Sequence, residues 1–197
     1  SAGGRALRLL GSIAPKPGGN VVLSIDIKLQ KLIEDMFGDR RGALVAIDPR
    51  NGEILALVSK PTFDPNLFVD GIDVENWRAL NESINKPLLN RALKGLYPPG
   101  STYKPFMALA ALELGLRKPQ SITHDPGYWM FGKHRFRSHG AGLGAVNMRR
   151  SIVVSSNVYY YALANDMGVE RMHDFMAPLS FGQKTGIDLD GESTGVL

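Results

Sequence analysis

Pro98-Pro99-Gly100 marks the most constrained junction in this chain. Proline lacks a backbone N–H and its ring collides with the preceding turn, and glycine resists ordering, so the three cannot extend a helix backwards. From Phe106 to Leu116 the apolar residues are dense enough for a buried helix. The pattern predicts a helix from Ser101 to about Leu116, reached abruptly from a loop. Ser101 and Lys104 then share a face near its start. The free N–H groups and dipole at that end favour a developing negative charge. A serine hydroxyl is a poor nucleophile without a base beside it. A lysine among apolar neighbours has a lowered pKa and can serve as that base. Ser-x-x-Lys alone is common on solvated helix faces; the Pro-Pro-Gly before it and Pro105 after it set this one apart.

A second element strengthens the first. Ser155-Ser156-Asn157 lies about fifty residues downstream, between Arg149-Arg150 and the aromatic run Tyr159-Tyr160-Tyr161. It reads Ser-x-Asn. Ser-x-x-Lys followed by Ser-x-Asn or Ser-Asp-Asn is the motif set of penicillin-binding proteins and serine β-lactamases. Several segments carry a closer resemblance. Tyr97-Pro98-Pro99-Gly100-Ser101-Thr102-Tyr103-Lys104-Pro105 resembles the nucleophile segment of class B penicillin-binding proteins. Arg41 to Pro49 resembles the first strand of their transpeptidase domain, and Lys60 to Asn66 the loop leaving the second. Asn90-Arg91-Ala92 and Phe181 to Leu189 fit the same family. The resemblance runs from about Gly19 to Leu197 and is strongest to the cell-elongation branch of Gram-negative bacteria.

That resemblance implies a mixed α/β (α+β) fold, with a helical lobe and part of an antiparallel sheet. Residues 1–20, rich in Gly and Pro, read as a linker or the end of a preceding pedestal module. Residues 21–197 read as the N-terminal part of a transpeptidase domain whose last strands and third motif are expected beyond Leu197. The implied activity is peptidoglycan D,D-transpeptidation through a serine acyl-enzyme, the target of β-lactams, in cell elongation and shape. Ser101 is the expected nucleophile, and its backbone N–H half of an oxyanion hole. Lys104 is the expected base. Ser155 relays a proton toward the leaving amine, and Asn157 binds the substrate amide and positions Lys104. Ser101, Ser155 and Asn157 are the expected substrate contacts. Expected partners are stem peptides ending in D-Ala-D-Ala, β-lactams, a membrane glycosyltransferase and rod-shape proteins. The implied location is the periplasmic domain of a single-span inner-membrane protein, with the anchor absent from this chain. A β-lactamase-like hydrolase and a β-lactam sensor are the rival readings, and the truncated chain by itself is a candidate for inactivity.

Lys184-Thr185-Gly186 matches the family's third motif in letters but falls only about thirty residues after Ser155. Its surroundings are turn-like, so Lys184 reads as a solvated turn lysine. His124, His134 and His139, with Asp125, match no zinc-ligand spacing and read as loop residues. No cofactor and no metal are expected. A net charge of +4 is too mild to argue for nucleic acid. The absence of cysteine excludes disulfides and a thiol nucleophile.

The remaining elements follow from punctuation. Val21 to Ile25 reads as a strand, with Asp26 capping a helix through Phe37. Leu44 to Ile47 and Ile54 to Val58 read as strands joined through Asn51-Gly52, with Asp48 shaping the turn. Residues 61–73 read as loop, Val74 to Leu80 as a short helix, and 118–147 as irregular or weakly stranded. Helices are expected over Met148 to Met167 and Val169 to Met176, broken at Gly168.

Overall fold

The computed structural model describes residue 14, residues 16–138 and residues 140–197. Most of the expected linker, and His139, lie outside the described residues. The chain divides into two units, residues 1–60 and 61–197.

In the first unit, helix α1 (Ile27–Phe37) begins where Asp26 Oδ1 accepts the N–H groups of Lys28 and Leu29, at 2.9 and 3.1 Å. Strands β1 (Gly42–Ile47) and β2 (Ile54–Lys60) pair antiparallel, with a bulge at Ala46/Ile47. Gly52 closes the turn at φ +81°, a conformation open to glycine at no steric cost. Asp48 accepts Arg50 N–H there, as its turn role requires. Leu29, Ile33 and Phe37 share one helix face and pack with Ala46, Ala56 and Val58. Gln30 fixes the register of helix on strand: its Oε1 accepts Leu57 N–H at 2.9 Å and its Nε2 donates to Leu57 O at 3.1 Å.

Val21 to Ile25 does not form the expected strand. The segment reaches β2 through Ser24 Oγ donating to Ile54 O, followed by Asp26 N–H donating to Leu55 O. Val21, Val22 and Leu23 are exposed. The β-branched Val21, Val22 and Ile25 suit a strand, but a strand exists only where a partner completes the ladder.

The second unit is organised by helices. Short helices α2 (Val74–Asn81) and α3 (Arg91–Lys94) start at side-chain caps from Asp73 and Asn90. Arg91 is buried and donates to the carbonyls of Asn85, Lys86 and Leu89, closing the loop before α3. A 3₁₀ turn over Gly100–Tyr103 leads into α4 (Lys104–Glu113). This helix stops short of Leu116. Gly115 adopts φ +67°, its N–H donates to Leu112 O, and Leu116 N–H returns to Ala111 O. That left-handed glycine cap ends the helix while the apolar run continues.

Residues 118–147 hold two small antiparallel pairs. Strand β3 (Thr123–Asp125) pairs with β6 (Gly144–Val146), and β4 (Tyr128–Phe131) with β5 (His134–Arg137). The expected long helix from Met148 is two: α5 (Met148–Val153) and α6 (Asn157–Met167). Ser155 lies between them at φ +53°, which no α-helix tolerates, and Ser156 Oγ starts α6 by accepting Tyr159 N–H. Helix α7 (Val169–Met176) follows the break at Gly168. The core between α4, α5, α6 and α7 contains Met107, Ala110, Ala111, Met148, Tyr159, Leu163 and Met176. Small residues on α4 let α6 approach closely, and Phe181 caps the assembly with edge-on contacts to Tyr103 and Phe106. Among the described residues no helix is long and apolar enough to cross a membrane.

These cores carry a stability prediction. Leu163→Ala opens a cavity at a site of zero exposure, and is expected to cost about 2–5 kcal/mol. Asp26→Ala removes one cap and is expected to cost about 1 kcal/mol. Denaturant melts of the full-length protein that contains this chain check the ordering; equal losses contradict it.

Candidate active site

Helix α4 presents its buried stripe at Lys104, Met107, Ala108 and Ala111, the three-and-four spacing of one helix face. Lys104 therefore points into the protein with the core residues. Only 9% of it is exposed, while Ser101, one turn earlier, is exposed. The chain thus places a hydroxyl at the surface and an amine beneath it.

The amine is met by the break between α5 and α6. Lys104 Nζ donates to Ser155 O at 2.7 Å, to Ser155 Oγ at 2.9 Å and to Asn157 Oδ1 at 2.6 Å. Three acceptors match the three protons of an ammonium group. All three are neutral, and among the described residues no carboxylate pairs with Lys104. Tyr160 lies on another side, with its ring centroid 5.6 Å from Nζ. Its hydroxyl is held by Ser151 Oγ at 3.1 Å. Burial without an opposite charge pushes the Lys104 pKa down from its ordinary 10.5.

Ser155 Oγ also hydrogen-bonds Ser101 Oγ at 2.8 Å. Among the described residues, Ser101 Oγ meets Lys104 only through this intermediary. The direct serine–lysine contact expected from Ser-x-x-Lys spacing is replaced by a chain: Ser101 Oγ, Ser155 Oγ, Lys104 Nζ. Each hydroxyl both donates and accepts, so the chain can carry a proton in either direction. The four motif residues, some fifty positions apart in sequence, converge in one hydrogen-bonded cluster.

The left-handed Ser155 is what aims both its carbonyl and its hydroxyl at Nζ. A non-glycine residue at positive φ is costly and persists only where neighbours hold it. Ser156 supplies that hold: its Oγ donates to Asp125 Oδ2 at 2.6 Å, and both residues have no exposed surface. In sequence Asp125 stands out only beside His124, in a spacing that matches no zinc-ligand pattern. The structure gives its carboxylate to Ser156 and to Gly127 N–H, at 2.8 Å. His124 and His134 are exposed, and among the described residues no group of three His, Cys, Asp or Glu could hold a metal. The signal that could have found Ser156 is a cap pattern, Ser before Asn157 at a helix start.

Lys184-Thr185-Gly186 stays outside this cluster. It lies in irregular chain with Gly186 at φ +82°. Thr185 N–H and Oγ donate to Glu192 Oε1 at 2.8 and 2.6 Å, so the threonine serves a turn. Two surface hollows, lined in part by His173 with Met172 and by Arg78 with Glu75, also contain none of the motif residues.

A serine linked through a second serine to a buried, uncompensated lysine, beside an asparagine, is an acyl-transfer arrangement. The penicillin binding protein transpeptidase domain family matches residues 42–197, and the chain belongs to that family. It is 47% identical over 193 residues to the peptidoglycan D,D-transpeptidase MrdA of Acinetobacter baumannii, covering 96% of this chain and 29% of that protein. The fold is also that of solved relatives. It matches Pseudomonas aeruginosa PBP2 in complex with WCK 5153 at a TM-score of 0.86 and 46% identity, over 92% of this chain and 42% of that one. PBP2 of Helicobacter pylori, solved in complex with MreC, matches at 0.87 and 34% identity, over all of this chain and 37% of that one. The chain spans under a third of the length of the curated relatives it matches.

The Lys104 shift has a consequence for stability. A lysine whose folded pKa is depressed binds fewer protons than its unfolded form between the two values. Its burial penalty is full below the folded pKa and fades as pH rises toward 10.5. Unfolding of wild type and Lys104→Met, compared across alkaline pH, is expected to shift in favour of wild type as pH rises. A gap that is constant or moves the other way contradicts a depressed Lys104.

Proposed function

We propose that Ser101 is the nucleophile of a peptidoglycan D,D-transpeptidase, acting in a longer protein to which this chain contributes the nucleophile-bearing part. The observation that supports this most is the unbroken path from Ser101 Oγ through Ser155 Oγ to Lys104 Nζ, at 2.8 and 2.9 Å.

In this reading, Lys104 is neutral when substrate binds. Ser101 Oγ attacks the carbonyl carbon of the penultimate D-alanine, and the Ser101 proton passes to Ser155 as Ser155 gives its own to Lys104 Nζ. The tetrahedral oxyanion forms near the Ser101 backbone N–H, for which no hydrogen bond is seen among the described residues. Collapse breaks the peptide bond. The proton returns from Lys104 through Ser155 to the leaving nitrogen, and D-alanine departs as an amine. A neighbouring stem-peptide amine then attacks the ester, loses its proton to the same relay, and regenerates Ser101. Asn157 holds Lys104 through Oδ1, leaving its amide N–H groups for the substrate backbone. A β-lactam follows the first half and leaves Ser101 acylated. Among the described residues no carboxylate hydrogen-bonds Ser101, Ser155, Lys104 or Asn157, so the cluster itself offers no base of the kind a β-lactamase uses to activate water.

The third motif is supplied in this proposal from outside Lys184-Thr185-Gly186. The whole protein is placed in the periplasm on an inner-membrane anchor. Its proposed partners are a membrane glycosyltransferase and rod-shape proteins, in line with the relative solved with MreC.

Fluorescent penicillin tests the assignment in the full-length protein. Ser101→Ala should abolish labelling, and Ser155→Ala should slow it by roughly 10²- to 10⁴-fold, the worth of a positioned proton carrier. Lys184→Ala should label at the wild-type rate. Labelled Ser101→Ala protein sinks the nucleophile assignment, and a Lys184→Ala loss matching that of Lys104→Ala sinks the exclusion of Lys184.

A further inference from the structure

Asp125 lies outside both motifs, on a three-residue strand, with no exposed surface. Its two carboxylate oxygens have separate tasks. Oδ1 accepts Gly127 N–H at 2.8 Å and so rigidifies its own turn, while Oδ2 accepts the Ser156 hydroxyl at 2.6 Å. Ser156 Oγ in turn accepts Tyr159 N–H at 3.2 Å, and Ser156 N–H donates to Ser151 O at 3.0 Å. Ser156 is thereby held by strand β3, helix α5 and helix α6 at once. Its neighbour Ser155 carries the positive φ and makes two of the three Lys104 contacts as well as the Ser101 contact. A turn with this backbone has a lower-energy alternative, and something must prevent it.

We propose that Asp125, through Ser156, is a positioning residue for acyl transfer, holding the Ser155 turn in the one geometry that links Ser101 to Lys104. This rests on the reading of Ser101 as nucleophile. Strand β3 itself is fixed from behind. Asp125 pairs with Gly144 in β6, and Gly142 lies so close that an added Cβ there meets Asp125 O at 2.8 Å and Pro126 C at 2.7 Å. The carboxylate is therefore a rigid post rather than a mobile partner. Displacing a reacting group by about 1 Å can cost on the order of a hundredfold in rate, so a modest relaxation of this turn is enough to matter.

The test uses full-length protein and fluorescent penicillin, separating the dissociation constant of the first complex from the acylation rate within it. Asp125→Ala removes both carboxylate oxygens, whereas an asparagine amide would still donate to Ser156 Oγ and preserve the link. Ser156→Ala removes the link from the other side. Each is expected to slow acylation about ten- to a hundredfold with little change in the dissociation constant. The double variant is expected to be no slower than the slower single one, because both act through one contact. Ser101→Ala runs alongside: if it still labels, the nucleophile reading fails, whatever Asp125 does. If Ser101→Ala is silent, three results overturn the positioning role alone. These are a wild-type acylation rate in Asp125→Ala, losses that multiply in the double variant, or a loss confined to the fraction of protein that reacts while that fraction reacts at the wild-type rate.

Discussion

A lysine amine buried without an opposite charge is the constraint on which the rest of the site depends. Removing an ammonium group from water costs several kcal/mol unless its protons find partners. Here the partners are neutral oxygens from Ser155 and Asn157 and the face of Tyr160, which lessen the penalty without a formal countercharge. A carboxylate in the same place would favour the charged form and make Lys104 a poor base. The motif's choice of serine and asparagine follows from that: they satisfy the amine geometrically while leaving its proton affinity low.

The same requirement explains the backbone around Ser155. Nζ needs a carbonyl and a hydroxyl from one residue, and only a turn out of helical geometry aims both at one point. Continuing α5 into α6 would commit the Ser155 carbonyl to the helix ladder instead. The strain at Ser155 and the buried link from Ser156 to Asp125 are two sides of one arrangement. Helix α4 contributes the complementary part. Its alanines on the Lys104 stripe bring the helix close to α6, so that a lysine of ordinary length reaches across.

Much of this was legible in the residues. Asp26 begins a helix where its cap chemistry predicts, and the Asn51-Gly52 signal falls in the turn between β1 and β2. Ser101, Lys104, Ser155 and Asn157 stand out by motif spacing and meet in one hydrogen-bonded cluster. What spacing could not give was the wiring. Ser-x-x-Lys suggests a direct pair, whereas Ser155 stands between the two, because hydrogen-bond order depends on a residue fifty positions away. The helix break at Ser155 is hidden because apolar residues recur on both sides of it, at Ile152 to Val154 and Val158 to Leu163, and hydrophobic pattern does not register one residue in a left-handed turn. Val21 to Ile25 erred the other way: propensity proposes a strand, but pairing decides it. Asp125 carried no periodic or motif signal, and its role exists only through a contact with Ser156 across 31 positions.

The 3₁₀ turn before α4 completes the logic. With three residues per turn, side chains three apart lie nearly one above the other, closer to eclipsed than in an α-helix. Over Gly100–Tyr103 this stacks Ser101 above the start of α4, where Lys104 turns inward. Pro98 and Pro99 prevent the helix from extending backwards, and Gly100 at φ +56° makes the reversal that a bulkier residue resists. Ser101 is thereby left at the surface, while its hydroxyl connects through Ser155 to the buried Lys104 amine. The separation is useful in itself. An amine open to water would be solvated back toward its ordinary pKa, and a serine buried with it would be closed to any bulky reactant. Ser155 bridges the two environments, which is why a hydroxyl, able to donate on one side and accept on the other, occupies the most strained position in the site.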